Sequence, residues 1–291
     1  MKSFLLRPVF LCFCVSILTL QQTSVQAQTF SFTAIPDQDI TRLKQRFERV
    51  STYLESKLDI DVKYIPVKSY SAAISAFRNN QVQLAWFGGL SGVQARRLVP
   101  NSNAIAQGEE DQYFKSLIIA NASTGLTPSN TLPAVNQKLT LTFGSKSSTS
   151  GRLMPEYYLQ QHYGKPSNDI FRLVGFSGDH SRTIALVQSG AYDLGAVNFK
   201  VWQQHLKEKL VDTNKVNVIW QSPTYPDYQW TIRGDVDQHW GPGFTKKMTD
   251  TLLGIDDPEI LSAFPRTKFV PAKSEDYDVI LTTAKTVGLI D

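Results

Sequence analysis

The chain has very few cysteines: among its 291 residues only Cys12 and Cys14 carry a thiol. Both lie within the first 27 residues, so the rest of the chain contains none. A disulfide framework and a cysteine-based metal site are therefore excluded after residue 27. Leu11 and Phe13 stand before the two cysteines, where a lipoprotein cleavage site has small residues.

Residues 1–27 have the composition of a secretory signal peptide. Lys2 and Arg7 make the start basic, an apolar run covers residues 9–20, and Ala27 offers a small residue for cleavage after it. The apolar run is too short to span a membrane as a helix. We therefore expect an exported protein that acts in a bacterial periplasm.

The sequence also lacks an excess of charge of either sign. Without Lys2 and Arg7, 28 of the 30 basic residues remain against 26 acidic ones. Nucleic-acid-binding proteins carry a clustered basic face, which this balance does not favour. The sequence has no solenoid repeat or low-complexity tract. It also has no P-loop, no nucleophile turn of a hydrolase and no metal-binding His/Cys spacing. We expect no cofactor and no metal.

Apolar residues recur with two periods, one typical of strands and one of helices. The clearest helix follows Asp39, which can cap it; its apolar positions are Ile40, Leu43, Phe47, Val50, Leu54 and Leu58. Strands are predicted at residues 30–35, 62–67, 82–86, 139–143, 171–176 and 194–197, most of them followed by a helix. This rhythm predicts an α/β fold with mostly parallel sheets flanked by helices.

The strands and helices fall into two sets of about a hundred residues, which predicts two lobes. We expect lobe 1 to comprise residues 28–121 and 220–291, and lobe 2 to comprise residues 122–219. In open α/β sheets, ligands lie beyond the carboxyl ends of the strands. The turns that follow the strands are therefore the candidate site.

One such turn runs from Phe143 to Gly151 and is rich in small hydroxyl residues. A strand that passes into a helix there leaves backbone N–H groups without an intrahelical partner, and the helix dipole adds partial positive charge. Such a turn suits a tetrahedral oxyanion. The alternative is that Ser148 or Ser150 only caps the helix.

Several turns together resemble a known family. Residues 34–36, 84–88, 148–151 and 177–180 resemble the periplasmic binding proteins of ABC importers for phosphonate, phosphite and phosphate. The resemblance covers residues 32–289. Further segments, including the run Tyr225-Pro-Asp-Tyr-Gln-Trp, are similar to the branch of that family labelled selenate-binding proteins.

The resemblance implies a type II periplasmic binding protein with a ligand cleft between its lobes. Such a protein is a monomer that captures a small oxyanion and passes it to a membrane permease with its ATPase. The ligand contacts that we expect are Tyr70, Phe87, Phe114, Ser148, Thr149, Ser150, Asp179 and His180. Phe114 stands where the family has a tyrosine, two residues before Ser116, so one hydroxyl donor is missing.

Carboxylates in the cleft would separate the possible ligands. Phosphate, phosphite and phosphonates can present an O–H group to a carboxylate, whereas ionised selenate and sulfate present only acceptors and would be repelled. Asp179, Asp227, Glu109 and Glu110 are the candidates, and the sequence leaves open which of them faces the cleft. Asp179 can instead cap the helix that follows it.

Two other classes of function are weaker alternatives. An enzyme on the same scaffold would need an acid/base pair, and only Asp179 with His180 comes near one, although neighbours on one turn rarely face each other. A sensory module would report the ligand to a partner protein. We expect a binding protein and not an enzyme.

Overall fold

The computed structural model describes residues 28–291 with the exception of residue 136. The predicted signal peptide, with Cys12 and Cys14, lies outside the described residues.

Strands and helices alternate in the first part of the chain. They are β1 (Phe30–Ala34), α1 (Ile40–Leu58), β2 (Val62–Tyr64), α2 (Tyr70–Arg78), β3 (Leu84–Phe87), α3 (Gly89–Leu98) and β4 (Asn103–Gly108). The middle part contains β5 (Ser116–Asn121), β6 (Thr140–Phe143), α4 (Met154–Tyr163), α5 (Ser167–Ile170), β7 (Leu173–Phe176), α6 (His180–Gln188), β8 (Leu194–Asn198), α7 (Phe199–Lys207) and β9 (Val216–Gln221). The last part contains β10 (Gln229–Ile232), α8 (Val236–Trp240), α9 (Phe244–Leu253), α10 (Pro258–Ala263), β11 (Phe269–Pro271) and α11 (Asp278–Thr286).

The strands form two sheets. Sheet 1 has the order β11-β4-β10-β3-β1-β2, and sheet 2 has the order β7-β6-β8-β5-β9. The two-lobed α/β fold class is confirmed, but both sheets are mixed rather than mostly parallel. The strands β2, β1 and β3, and likewise β7, β6 and β8, are parallel, whereas β10, β4, β11, β5 and β9 pair antiparallel. Two parallel neighbouring strands need a crossover connection, usually a helix. In the described part of the chain no α-helix lies directly before β5 or β10, and both of these strands run antiparallel to their neighbours.

Sheet membership locates the passages between the two sheets. The strand β5 pairs with β8 and β9, so residues 116–121 belong to sheet 2 although they were expected in lobe 1. The chain therefore passes between the sheets at residues 109–115 and again at residues 222–228. An antiparallel bridge between Phe114 and Tyr225 joins these two passages.

The predicted helix α1 shows how the pattern builds the core. Asp39 Oδ1 accepts hydrogen bonds from the N–H groups of Thr41 and Arg42 at 3.0 and 3.2 Å, as expected of an N-cap. The apolar stripe from Leu43 to Leu58 is buried against sheet 1, whereas Ile40 remains 48% exposed. Each fully buried leucine or phenylalanine of the stripe contributes about 1.5–3 kcal/mol.

Candidate functional site

The turn after β6 folds through its own hydroxyl and glycine residues. Ser148 Oγ accepts a hydrogen bond from the N–H of Gly151 at 3.0 Å, and the N–H of Leu153 bonds to the carbonyl of Ser148 at 3.0 Å. The second bond spans five residues and widens the turn. A Cβ at Gly151 would lie 2.8 Å from Cε1 of His180, so only glycine allows this close approach. Ser148 is thus a helix cap in this structure.

Thr149 and Ser150 follow β6 of sheet 2, and Thr149 contacts the helix α3, which connects β3 and β4 of sheet 1. Both side chains are buried, and Thr149 Oγ1 accepts a hydrogen bond from the N–H of Leu90 at 2.9 Å. Leu90 lies in the first turn of α3, whose N–H groups have no intrahelical partner. The turn and the N-terminus of α3 therefore converge, and both contribute partial positive charge.

Asp227 is the carboxylate at this point of convergence. Its Oδ1 accepts a hydrogen bond from the N–H of Gly89 at 2.8 Å. Its Oδ2 is buried and has no hydrogen-bond partner among the described residues. Burial raises the pKa of Asp227 to about 7. Asp227 can therefore hold or release a proton near neutral pH.

His180 presents a second unpartnered atom. Its ring is fully buried, its Nδ1 accepts a hydrogen bond from the N–H of Asn198 at 3.3 Å, and its Nε2 has no partner among the described residues. Burial lowers the pKa of His180 to about 3, so the ring is neutral near pH 7. Because Nδ1 accepts, we assign the single ring proton to Nε2. His180 is therefore a neutral donor.

Tyrosine hydroxyls lie around the same turn. Tyr70 is buried beside Ser148, and Tyr225 lies beside Ser150. Tyr225 Oη also lies 2.5 Å from Oγ of Ser116. Burial raises the pKa of both tyrosines well above the ordinary value, which keeps them protonated donors. Phe114 has no hydroxyl where the family has a tyrosine, two residues before Ser116. Tyr225 supplies a phenol hydroxyl next to the same serine.

Three residues expected at the site have other surroundings. Phe87 is in the hydrophobic core around sheet 1, in T-shaped contact with Phe77 at 5.6 Å between ring centroids. Phe114 packs edge-on against Phe199 at 4.8 Å. Asp179 caps α6, because its Oδ1 accepts from the N–H of Arg182 at 2.8 Å.

The four candidate carboxylates differ in their partners. Glu109 pairs with Lys268 at 2.9 Å and Glu110 with Lys200 at 3.3 Å. Of the four candidates, only Asp227 has a buried oxygen without a partner. Sequence reasoning left Asp227 open because no local motif marks its orientation.

Within residues 28–135 and 137–291 no cluster of His, Cys, Asp or Glu side chains could hold a metal ion. No helix in the same ranges has the length and apolar character needed to cross a membrane.

The family model for ABC transporter, phosphonate, periplasmic substrate-binding proteins matches residues 32–277 of this chain. The chain belongs to this family. Members are the ligand-binding components of ABC importers, which implies a small ligand and a permease with its ATPase. The probable ABC transporter phosphite binding protein PhnD1 of Prochlorococcus marinus is 43% identical over 251 residues, or 84% of each chain.

Solved structures of the family have the same fold. PhnD1 from Prochlorococcus marinus in complex with methylphosphonate is 41% identical, with a TM-score of 0.85 over 90% of this chain and 99% of that one. A binding protein component of an ABC phosphonate transporter from Pseudomonas aeruginosa is 19% identical, with a TM-score of 0.78 over 90% of this chain and 87% of that one. The second likeness concerns the fold alone.

Proposed function

We propose that this protein captures a small tetrahedral phosphorus oxyanion between its two lobes. The ligand class is phosphite or a phosphonate with a compact substituent such as methylphosphonate. The observation that carries the proposal is the pair of buried, unpartnered atoms, the donor Nε2–H of His180 and the acceptor Oδ2 of Asp227, beside the hydroxyl turn. The 43% identity to a phosphite binding protein supports the same class.

The donors that line the site are sufficient for tight binding. The proposed set is the hydroxyls of Ser148, Thr149, Ser150 and Tyr70 together with Nε2–H of His180. Each charge-assisted hydrogen bond contributes about 1.5–3 kcal/mol net. Lobe closure and ligand immobilisation offset several kcal/mol of that sum. The remainder corresponds to roughly micromolar binding or tighter, near −8 kcal/mol.

No lysine is needed in this account. The ammonium of Lys146, which follows the strand β6 in the same turn, lies 5.3 Å from the ring centroid of Phe176. Its charge is therefore engaged in a cation–π contact at the edge of sheet 2.

Asp227 favours a ligand that carries a proton. A phosphite or phosphonate monoanion has a P–OH group, which the ionised carboxylate accepts as a short, charge-assisted hydrogen bond. Phosphate presents the same group. Selenate, the ligand named for the similar branch, presents only acceptors and requires Asp227 to be protonated, at a cost that grows above its pKa of about 7. Selenate is therefore the second candidate.

We infer binding rather than catalysis. Asp179 and His180, the only approach to an acid/base pair seen in the sequence, have separate partners: Asp179 caps α6, and the Nδ1 of His180 is held by Asn198. We also propose that the protein acts in the periplasm as a monomer, after removal of residues 1–27 as a signal peptide. We propose two lobes as predicted, with sheet membership favouring a first boundary near residue 115.

Calorimetric titration of residues 28–291 tests this function. We expect binding of phosphite and methylphosphonate at micromolar concentration or below, with weaker binding of selenate and sulfate at pH 8. Absence of heat with every one of these anions would contradict the proposal. Selenate binding tighter than phosphite at pH 8 would replace the ligand class.

The hydroxyl turn gives a further prediction. Thr149→Val and Ser150→Ala are each expected to weaken methylphosphonate binding about tenfold, because each removes one charge-assisted donor of about 1.5 kcal/mol. Calorimetry measures the change, and Ser147→Ala in the same turn is the matched control. Unchanged affinity in both variants would reduce the turn to a structural cap.

The affinity should also depend on pH in a defined direction. The complex holds one proton between Asp227 and the ligand, and above pH 7 both free partners lose it, so that binding must take up a proton. Above about pH 8, affinity for phosphite is expected to fall with rising pH, and the decrease should approach tenfold for each pH unit. His180, with a pKa of about 3, adds no change in this range. Calorimetry in buffers of different ionisation enthalpy measures proton uptake, and a value of zero at pH 8 would contradict the shared proton.

A further inference from the structure

A chain of buried hydrogen bonds leads from Asp37 to His180. The hydroxyl of Tyr228 donates to Asp37 Oδ2 at 2.9 Å and accepts from Asn198 Nδ2 at 3.0 Å. The backbone N–H of Asn198 then donates to Nδ1 of His180 at 3.3 Å. All four residues are buried, so a lost partner is not replaced freely by water.

The donors and acceptors in this chain have fixed directions. Burial raises the pKa of Tyr228 well above its ordinary value, so the phenol stays protonated and donates its hydrogen bond to Asp37. Asn198 Oδ1 accepts from the N–H of Val201 at 2.6 Å as the N-cap of α7. The amide NH₂ of Asn198 therefore points to Tyr228. The side chain of Asn198 is thus held at its oxygen by Val201 and at its nitrogen by Tyr228.

This series of hydrogen bonds also joins the two sheets. Asp37 follows β1 and Tyr228 precedes β10 in sheet 1, whereas Asn198 ends β8 of sheet 2 and His180 begins the helix packed beside it. A second contact runs in parallel, because the backbone N–H of His180 donates to the carbonyl of Asp37 at 3.0 Å. His180 is thus tied to Asp37 through both its backbone and its ring.

We propose that Tyr228 is a positioning residue for anion binding. Through Asn198 it holds the ring of His180 in the form with the proton on Nε2, and it makes that orientation depend on contact between the two halves of the protein. This inference rests on the proposed function, since it treats Nε2–H of His180 as a donor to the anion.

Tyr228→Phe tests the positioning role. The variant leaves Asn198 Nδ2 and Asp37 Oδ2 without this partner, and we expect methylphosphonate affinity to fall about tenfold. Tyr277→Phe is the matched control: Tyr277 is fully buried, and its hydroxyl donates to Oε1 of Gln107, in the strand β4 of sheet 1, at 3.1 Å. Its affinity should change less than about twofold.

Two readouts separate positioning from a general loss of stability. In a His180→Gln background, Tyr228→Phe should weaken methylphosphonate binding further by less than about twofold, because its effect passes through His180. Nitrogen-15 NMR of His180 should show one tautomer, protonated at Nε2, in the wild type with methylphosphonate, and a mixture in Tyr228→Phe. A further tenfold loss in the His180→Gln background, or an unchanged tautomer, would overturn the inference.

A second variant covers the case in which Tyr228→Phe does not fold. Asn198→Ser keeps an oxygen that can cap α7 but has no amide to reach Tyr228, and it should give a similar loss of affinity. Wild-type binding with no loss in either variant would overturn this inference alone and leave the proposed function standing. Failure of the wild type to bind any tested anion would overturn both.

Discussion

Asp227→Asn is expected to weaken binding of phosphite and methylphosphonate about a hundredfold at pH 7 while leaving selenate binding unchanged or tighter. The N–H of Gly89 needs an acceptor, so the amide oxygen of the asparagine takes the place of Oδ1. The amide NH₂ then occupies the place of the unpartnered Oδ2 and faces the ligand. This NH₂ group and a P–OH group are both donors, so their contact costs up to about 3 kcal/mol of binding free energy. An oxyanion without a proton can accept from the same NH₂ group.

Calorimetry with the three anions checks this change of selectivity. Asp179→Asn is the matched control, because Asp179 caps α6 and asparagine is an equally good N-cap. The control should keep the preference for phosphite over selenate. A parallel loss of affinity for all three anions in Asp227→Asn would mean that Asp227 has only a structural role.

His180→Ala should weaken methylphosphonate binding about a hundredfold. The substitution removes the N–H donor that we propose for the anion and also leaves the N–H of Asn198 without its acceptor. Each of these effects costs about 1–3 kcal/mol. Calorimetry gives the affinity, and thermal unfolding of the unliganded variant separates the cost to stability.

The charge state of His180 gives this prediction a second part. With a pKa of about 3, the ring is neutral at both pH 6 and pH 8. His180→Ala should therefore weaken methylphosphonate binding by the same factor at both pH values. A loss that is clearly larger at pH 6 would show that an imidazolium binds the anion, which this account excludes.

The parts of the candidate site that are encoded locally were open to prediction from the sequence. Ser148, Thr149 and Ser150 belong to one strand-to-helix turn, and the glycine and hydroxyl residues of that turn determine its shape with few distant contacts. The helix α1 was predicted in the same way, since its cap at Asp39 and its apolar period are both local signals. His180 came from a short family motif at the start of α6.

The parts that depend on long-range pairing were not predictable. Asp227 lies at the N-terminus of α3 because β10 pairs antiparallel with β3, which sets Gln229 opposite Phe87. The membership of β5 in sheet 2 likewise depends on its pairing with β8. Phe87 was expected to contact the ligand, but it ends the strand β3 and is packed against Phe77 of α2.

A crystal structure of residues 28–291 with methylphosphonate would test the central claim most directly. We expect phosphoryl oxygens about 2.5–3.0 Å from Oδ2 of Asp227 and about 2.7–3.2 Å from Nε2 of His180, with the hydroxyls of Thr149 and Ser150 also in contact. A ligand bound away from the hydroxyl turn, or one whose oxygens leave both Asp227 Oδ2 and His180 Nε2 unpartnered, would contradict it.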